Sequence, residues 1–552
     1  MPSNSHIHYN FLISYKSLGQ YLHDYWYKHE VYTYVLLDSP ERKEEIEKAF
    51  PAMSEKYKTD EALKNKIWGV SLTPLADIHL KPQVGYEAEI KGNRTAMIAL
   101  IFAAIAILAI AWINYINLTV ARSMERAKEV GVRRVIGAFR KQLVSQFLFE
   151  ALVMNLVALV LAVGLIELIL PYFNQLVSRT VTFSVWLTGY WWLLLLIVFV
   201  GGIFLSGYYP ALALLNRKPI TLLKGKFLNS KSGEGTRKVL VVVQYTASMI
   251  LLCGTLIVFA QLNFMRNQSL GVKTDQTLVV KFPGRTEGMN TKLEAMKKAI
   301  ARLPLVDKVT FSGAVPGEEV ATFLSNRRKS DALKQNRLYE MLVCDPDYID
   351  AYGLQLVAGR GFSEDYGDDV NKLVVNESAV RNLGIASNEE ALGEEIEVEC
   401  TDAPMQIIGV VKDYHQQALN KNYTPIMLIH KDKIGWLPQR YISIVMKSGD
   451  PKELVSQVEE IWHRYFEDSS YDFFFLDQFF DHQYRQDEVF GVMIGCFTGL
   501  AIFISCLGLW VLVMFSCTTR TKEMGIRKVL GATRWNLFYQ LGKGFFQLIL
   551  IA

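Results

Sequence analysis

Four stretches of the chain run uncharged for unusual lengths. There are 27 such residues between Arg94 and Arg122, 36 from Val181 up to Arg217, 27 between Lys238 and Arg266, and 31 between Glu488 and Arg520. About 20 helical residues cross a hydrocarbon core. Each run therefore predicts a membrane span, the second with interfacial residues to spare. A further run, Ala151 to Pro171, is broken only by Glu167 near its end, where an acid is expected at the interface. The run from about Trp535 reads as a sixth span cut short at Ala552. Met1 opens directly into domain-like sequence, so the chain is expected to be a fragment of a longer parent.

Between these runs the pattern changes to that of folded polar domains. In the segment 267–488, strands are predicted at Thr277–Phe282, Lys308–Phe311, Lys372–Val375, Gln406–Val411 and Tyr441–Met446, and helices at Asn290–Arg302 and Pro451–Phe466. Pro316-Gly317 and Gly359-Arg360-Gly361 punctuate them as turns. The expected architecture is an α-helical transmembrane bundle plus α+β extracytoplasmic domains, in two related halves. Residues 1–94 form the last part of a first external domain, and 95–238 a membrane domain of three spans with a loop at 122–141. Residues 239–266 are a span opening the second half, 267–488 a second external domain, and 489–552 a second membrane domain.

Composition agrees with that division: 51% of residues are hydrophobic, yet 21% are charged. The net charge of +4 is small, and the basic residues gather at the ends of apolar runs rather than on one folded surface, which excludes a nucleic-acid binder. The short loops 122–141, 216–238 and 516–535 carry nineteen Lys and Arg, whereas 172–190 carries only Arg179. The basic loops therefore face the cytoplasm, and by alternation 1–94 and about 266–488 lie outside it, in a plasma (inner) membrane protein. Trp186, Tyr190, Trp191 and Trp192 then form an aromatic belt at the outer interface. Cys253, Cys496, Cys506 and Cys517 lie in apolar runs and act as small hydrophobes, while Cys344 and Cys400 have no spacing that specifies a bridge.

A shift of 394 residues lays Lys128-Glu129-Val130-Gly131-Val132-Arg133-Arg134-Val135-Ile136-Gly137-Ala138 on Lys522-Glu523-Met524-Gly525-Ile526-Arg527-Lys528-Val529-Leu530-Gly531-Ala532, with seven of eleven pairs identical. The duplication extends outward. Tyr32–Leu37 followed by Ser39–Phe50 reads as a strand and a capped amphipathic helix, like Tyr441–Met446 followed by Asp450–Tyr465. Leu72–Leu80 and Phe473–Phe480 each read as an extended segment before the next span.

No GxxxxGK[ST] phosphate loop is present, and His6/His8, Asp77/His79 and Asp413/His415 are isolated pairs better explained as surface or strand histidines than as a metal site. No catalytic constellation is visible. The distinctive feature is the repeated basic element, expected to be a short amphipathic helix. Val130, Val135 and Ile136 would face membrane or bundle, and Arg133, Arg134 and Arg140 water. Gly131 and Gly137 would permit a kink and a tight exit. Such a helix can anchor on anionic lipid or be gripped by a cytoplasmic partner. Gly491, Gly495 and Gly499 make two GxxxG steps, a helix-packing face within the protein or between two copies.

KEVGVRRVIGA and KEMGIRKVLGA resemble the signature of the FtsX-like, MacB-type permeases of ABC transporters, in their duplicated eight-span form. Pro74-Leu75-Ala76-Asp77-Ile78-His79, Tyr209-Pro210-Ala211, Leu240–Tyr245 and Gly409–His415 also match. The resemblance implies a non-catalytic permease subunit and a separate cytoplasmic ABC ATPase dimer that carries ATP and magnesium. It implies a second permease copy or paralogue and a periplasmic partner as well. The segments 122–141 and 516–535, with Glu129, Gly131, Arg133, Gly137, Ala138, Glu523, Gly525, Arg527, Gly531 and Ala532, would lie against the ATPase and transmit its closure to the external domains, exporting or extracting a drug, peptide or lipoprotein. A non-transporting regulator of a cell-wall hydrolase or sensor kinase, and an inert remnant of a disrupted gene, are the alternatives.

Overall fold

The computed structural model describes residues 12–14, 16–17, 31–58, 68–80, 92–125, 127–184, 189–208, 211–212, 215, 231–283, 289–331, 337–399, 401–417, 419, 421–519 and 521–552. The chain divides into two compact units, one of 1–94 with 268–484 and one of 95–267 with 485–552. His6, His8, Trp186, Tyr209, Pro210 and Cys400 fall outside the described residues.

The first soluble segment departs from its expected form. Tyr32–Leu37 is not a strand: a strand needs a neighbour to accept its ladder bonds, and all described pairings lie between Thr277 and Phe475. Helix α1, Arg42–Tyr57, does form, but no side chain caps it; the Arg42–Asp38 ion pair at 2.7 Å bridges its entry instead. Leu72–Leu80 is not extended throughout, since Leu75–Asp77 is a turn of 3-10 helix.

The bundle follows. Helix α2 is Arg94–Glu125, α3 Ala127–Val135, α4 Arg140–Val177, α5 Trp191–Ile203 and α6 Lys231–Asn267. A π-turn, Phe204–Tyr208, extends α5. Its Gly207 lies against α4, where an added Cβ would stand 3.0 Å from Ala151 Cβ. Five described helices are long and apolar enough to cross a membrane, four of them among these. The most apolar stretch of α4 buries nothing within the bundle, which leaves it to lipid. Glu167 is exposed on this helix.

The external domain between the bundle halves is an 11-stranded sheet in the order β11-β1-β10-β2-β4-β3-β7-β8-β6-β9, with β5 on β8. The strands are β1 Thr277–Lys281, β2 Val306–Ser312, β3 Phe323–Arg328, β4 Arg337–Cys344, β5 Leu356–Gly359, β6 Lys372–Asn376, β7 Glu395–Glu397, β8 Met405–Val411, β9 Ile426–His430, β10 Tyr441–Met446 and β11 Phe473–Phe475. β9 also pairs in parallel with β4, so β4, β3, β7, β8, β6 and β9 close on themselves. Helices α7 Met289–Ala301 and, further along the chain, Pro451–Tyr465 cover β1, β2 and β10 through Leu293, Met296, Leu454 and Trp462. Glu340 on β4 is 2% exposed and accepts a hydrogen bond from Thr424 Oγ1 at 2.9 Å. Burial pushes its carboxyl up to about 7; the Thr424 bond opposes this and nearby Glu319 adds to it. Asp413 caps the short helix Glu377–Leu383 from outside by accepting from Ser378 N and Oγ, while the His415 ring packs against Tyr423 at a 40° tilt. No described group of His, Cys, Asp and Glu could hold a metal ion. Cys344 is a buried free thiol.

The extended segment expected over Phe473–Phe480 ends at Phe475. From Leu476 the chain is already helical, and the helix runs 44 residues to Thr519. Leu476 and Phe480 are core residues of the external domain. Counting helices α8 Tyr348–Ala351, α9 Glu377–Leu383 and α10 Pro451–Tyr465, this long helix is α11, followed by α12 Thr521–Val529 and α13 Arg534–Ile551. The expected sixth span corresponds to α13, which is not one of the five membrane-length apolar helices.

Candidate coupling elbows

The two copies of the repeated segment fold alike. In α3, Arg133 Nη2 donates to Glu129 Oε1 at 2.7 Å and Nη1 to Gln146 Oε1 of α4 at 2.9 Å. In α12, Arg527 Nη2 donates to Glu523 Oε1 at 2.7 Å and Nη1 to Gln540 Oε1 of α13 at 2.8 Å. All three positions obey the 394-residue shift. The planar guanidinium suits this role, because its fork reaches one turn back and the next helix at once.

Both helices end the same way. Ala138 N donates to Arg133 O at 2.9 Å and Gly137 N to Arg134 O at 3.3 Å; Ala532 N donates to Arg527 O at 3.0 Å and Gly531 N to Lys528 O at 3.2 Å. This pair of bonds is the Schellman closure, which needs a left-handed residue. Gly137 has φ 103° and Gly531 φ 91°. The chain turns sharply and re-enters a helix after two residues, capped at the second elbow by Thr533 accepting from Asn536 N at 3.3 Å.

The structure revises two details. The kink expected at Gly131 is absent, since α3 runs unbroken through that buried residue and its counterpart Gly525 lies open on α12. Arg134 is not given over to water: it is half-buried and its Nη1 donates to Leu215 O at 3.0 Å. Val130 is buried as expected, against Leu143, Ala211 and Leu215, and Val135 and Ile136 are 64% and 80% exposed on the protein surface, as a membrane-facing position leaves them.

The glycine face also differs from its expected form. A Cβ on Gly491 would lie 2.7 Å from Leu262 Cδ1, and one on Gly495 would lie 3.4 Å from Phe259, but Gly499 faces open space. The contact instead continues through Thr498, whose hydroxyl bonds Thr255 at 2.6 Å, to Ser505 on Ser248 at 2.8 Å. At the other end Arg266 pairs with Glu488. Helices α6 and α11 are thus antiparallel neighbours along a stripe of small residues, which lets backbones approach and hydroxyls bond across. Residues 491, 498 and 505 are seven apart, so they stay on one helix face with about 20° of drift per step, a signal hidden by reading only glycines.

Two family models match the chain. The FtsX-like permease C-terminal model matches 101–219 and 495–552, so each matched stretch contains one elbow, and the MacB-like periplasmic core domain model matches 246–461. The chain belongs to the MacB/FtsX-type permease family. As a member of that family it is a multi-pass inner-membrane protein with a large extracytoplasmic domain. Among its relatives is the macrolide export ATP-binding/permease protein MacB of Aggregatibacter actinomycetemcomitans, 26% identical over 206 residues that cover 35% of this chain and 30% of that protein. Another is the uncharacterized ABC transporter permease YvrN of Bacillus subtilis (strain 168), 22% identical over 216 residues that cover 36% of this chain and 50% of that one. The chain thus spans half or less of the length of these MacB/FtsX-type relatives. The periplasmic region of MacB from Actinobacillus actinomycetemcomitans superposes with a TM-score of 0.28 and 16% identity, covering 40% of this chain and 97% of that one.

Proposed function

We propose that the chain is the membrane part of an ABC transporter in which the two elbows receive the motion of a cytoplasmic ATPase dimer and pass it to the external domain. The observation carrying this reading is the duplication of the Glu–Arg–Gln clamp with its glycine closure at two sites 394 residues apart. A clamp of this kind makes each elbow a rigid bracket, so a push on α3 or α12 moves the helix that follows. Rigid elements with two discrete arrangements are what conveys coupling between distant sites. ATP and magnesium belong to the ATPase, and this chain supplies no catalytic group. A lipid annulus and a periplasmic partner belong to the same reading. The cargo, a drug, peptide or lipoprotein, follows the motion of the external domain.

The test replaces Glu523 or Arg527, and separately Glu129 or Arg133, by Ala in the full chain together with its ATPase. Stimulation of the partner's ATP hydrolysis should fall by about 5- to 30-fold, the size of a 1–2 kcal/mol loss of coupling, with membrane insertion intact. Unchanged stimulation in all four variants would rule the coupling role out.

A further inference from the structure

Helices α2 and α11 are the same element in the two halves, related by the 394-residue shift, and they meet at Asn114 and Gly508, which are themselves 394 residues apart. A Cβ on Gly508 would run into the Asn114 side chain, and Asn114 Nδ2 donates to Ile504 O at 2.6 Å. In a symmetric pair a residue touches its own counterpart only where the two-fold axis passes. The axis relating the halves therefore runs through this contact. At the end of α4, Ser178 Oγ accepts from Arg485 Nη2 at 2.8 Å, a second bond from half one to half two.

The two residues at the axis are not alike, and their difference is informative. Asparagine on both sides would place two amides in one volume, and glycine on both would leave a gap and no interhelical hydrogen bond. Only one of each fits. A pair that accepts the mixed combination and penalises both like ones specifies its partner. The setting sharpens the penalty, because polar groups among membrane helices find few alternative partners. Asn114 Oδ1 and Asn117 Nδ2 are already buried without one.

We propose that Asn114 and Gly508 are a lock that pairs half one with half two inside a single chain, so that one chain presents both elbows to one ATPase dimer. The second permease copy is then supplied by the other half of the same polypeptide. The lock stands on the contact itself; the stoichiometry rests on the coupling function proposed above.

Cross-linking separates these. In the full chain with Cys253, Cys344, Cys400, Cys496, Cys506 and Cys517 replaced by Ser, Asn114→Cys with Gly508→Cys is oxidised in membranes. Both thiols should become unreactive to maleimide while the chain keeps its monomer mass. Co-expressed, differently tagged chains carrying Asn114→Cys alone and Gly508→Cys alone should give no disulfide-linked dimer. Free thiols in the first case, or a dimer in the second, overturn the lock. Independently, Gly508→Asn should lower the yield of detergent-stable chain severalfold, and adding Asn114→Gly should restore it. By the same symmetry, the moved amide then meets the carbonyl of Ile110, the counterpart of Ile504. A double variant no better than Gly508→Asn alone also overturns the lock. Native mass spectrometry of the ATPase complex should show one chain per two ATPase subunits, and two chains would refute the stoichiometry. If no ATPase binds, the coupling function fails while the cross-links still decide the lock.

Discussion

At the first elbow Val130 is buried against Leu143, Ala211 and Leu215, and Arg134 holds the Leu215 carbonyl. At the second, the corresponding Met524 is half-buried and Lys528 is exposed, with Val529 and Leu530 88% and 80% exposed beside it. The clamp and the glycine closure are nonetheless the same to within 0.1 Å in every bond compared above. The bonds that shape an elbow are local, reaching at most 13 residues along the chain. The contacts that brace it come from a segment more than 70 residues away. Shape and bracing therefore have separate causes, and one can be changed without the other.

The largest effect that tests this separation lies outside both elbows, where long-range burial acts on an acid. The Glu340 carboxyl is raised to about 7 from 4.5. A raised pKa in the folded state means that stability is full below about 4.5, is lost as pH rises to about 7, and is level above that. The loss is on the order of 3 kcal/mol. Amide exchange at Tyr339–Val343 followed from pH 4.5 to 8 should show it, and Glu340→Gln should flatten the profile. A flat profile in the unaltered chain would mean that burial does not set the scale here.

Val130→Ala should loosen the first elbow by about 1.5 kcal/mol, from two buried methyl groups. Met524→Ala at the second should cost well under half as much, in amide-exchange protection of α3 and α12. Equal losses would erase the distinction between braced and bare elbows. Gly137→Ala and Gly531→Ala should each cost about 1 kcal/mol, because both positions have positive φ and the strain is local. Here the two elbows should agree. Glu129→Gln and Glu523→Gln should each cost about 0.3–0.5 kcal/mol, and the difference should vanish in 1 M salt. A loss that persisted in salt would show that the clamp is more than a surface ion pair.

Much of the external domain was legible as pattern. Tyr441–Met446 is a strand over the residues its alternation predicts, and the strands at Thr277, Lys372 and Gln406 lie within a residue or two of their expected positions. Strands β3, β4, β5, β7 and β9 were missed. β4 and β9 are buried on nearly every residue, as burial on both faces removes the alternation that marks a strand. The opposite error fell on Tyr32–Leu37, whose β-rich composition predicts a strand, whereas the strand pairings among the described residues all lie between Thr277 and Phe475. At the elbows, the clamp partners Gln146 and Gln540 were missed although the same 394-residue shift relates them. Each lies past the end of the matching segment, in the next helix, and only the turn at the glycine brings it back.

The sequence by itself determined that the chain crosses a membrane, that its basic turns share one side, and that it is built twice, because these depend on hydrophobic length, charge placement and repetition along one dimension. Tertiary structure alone decided that β4 and β9 close a ring of strands, that Thr498 and Ser505 rather than Gly499 continue the packing stripe, and that Asn114 meets Gly508. Those outcomes depend on which surfaces approach each other in space. Side-chain volumes and unpaired polar groups choose among approaches that the linear pattern leaves equal.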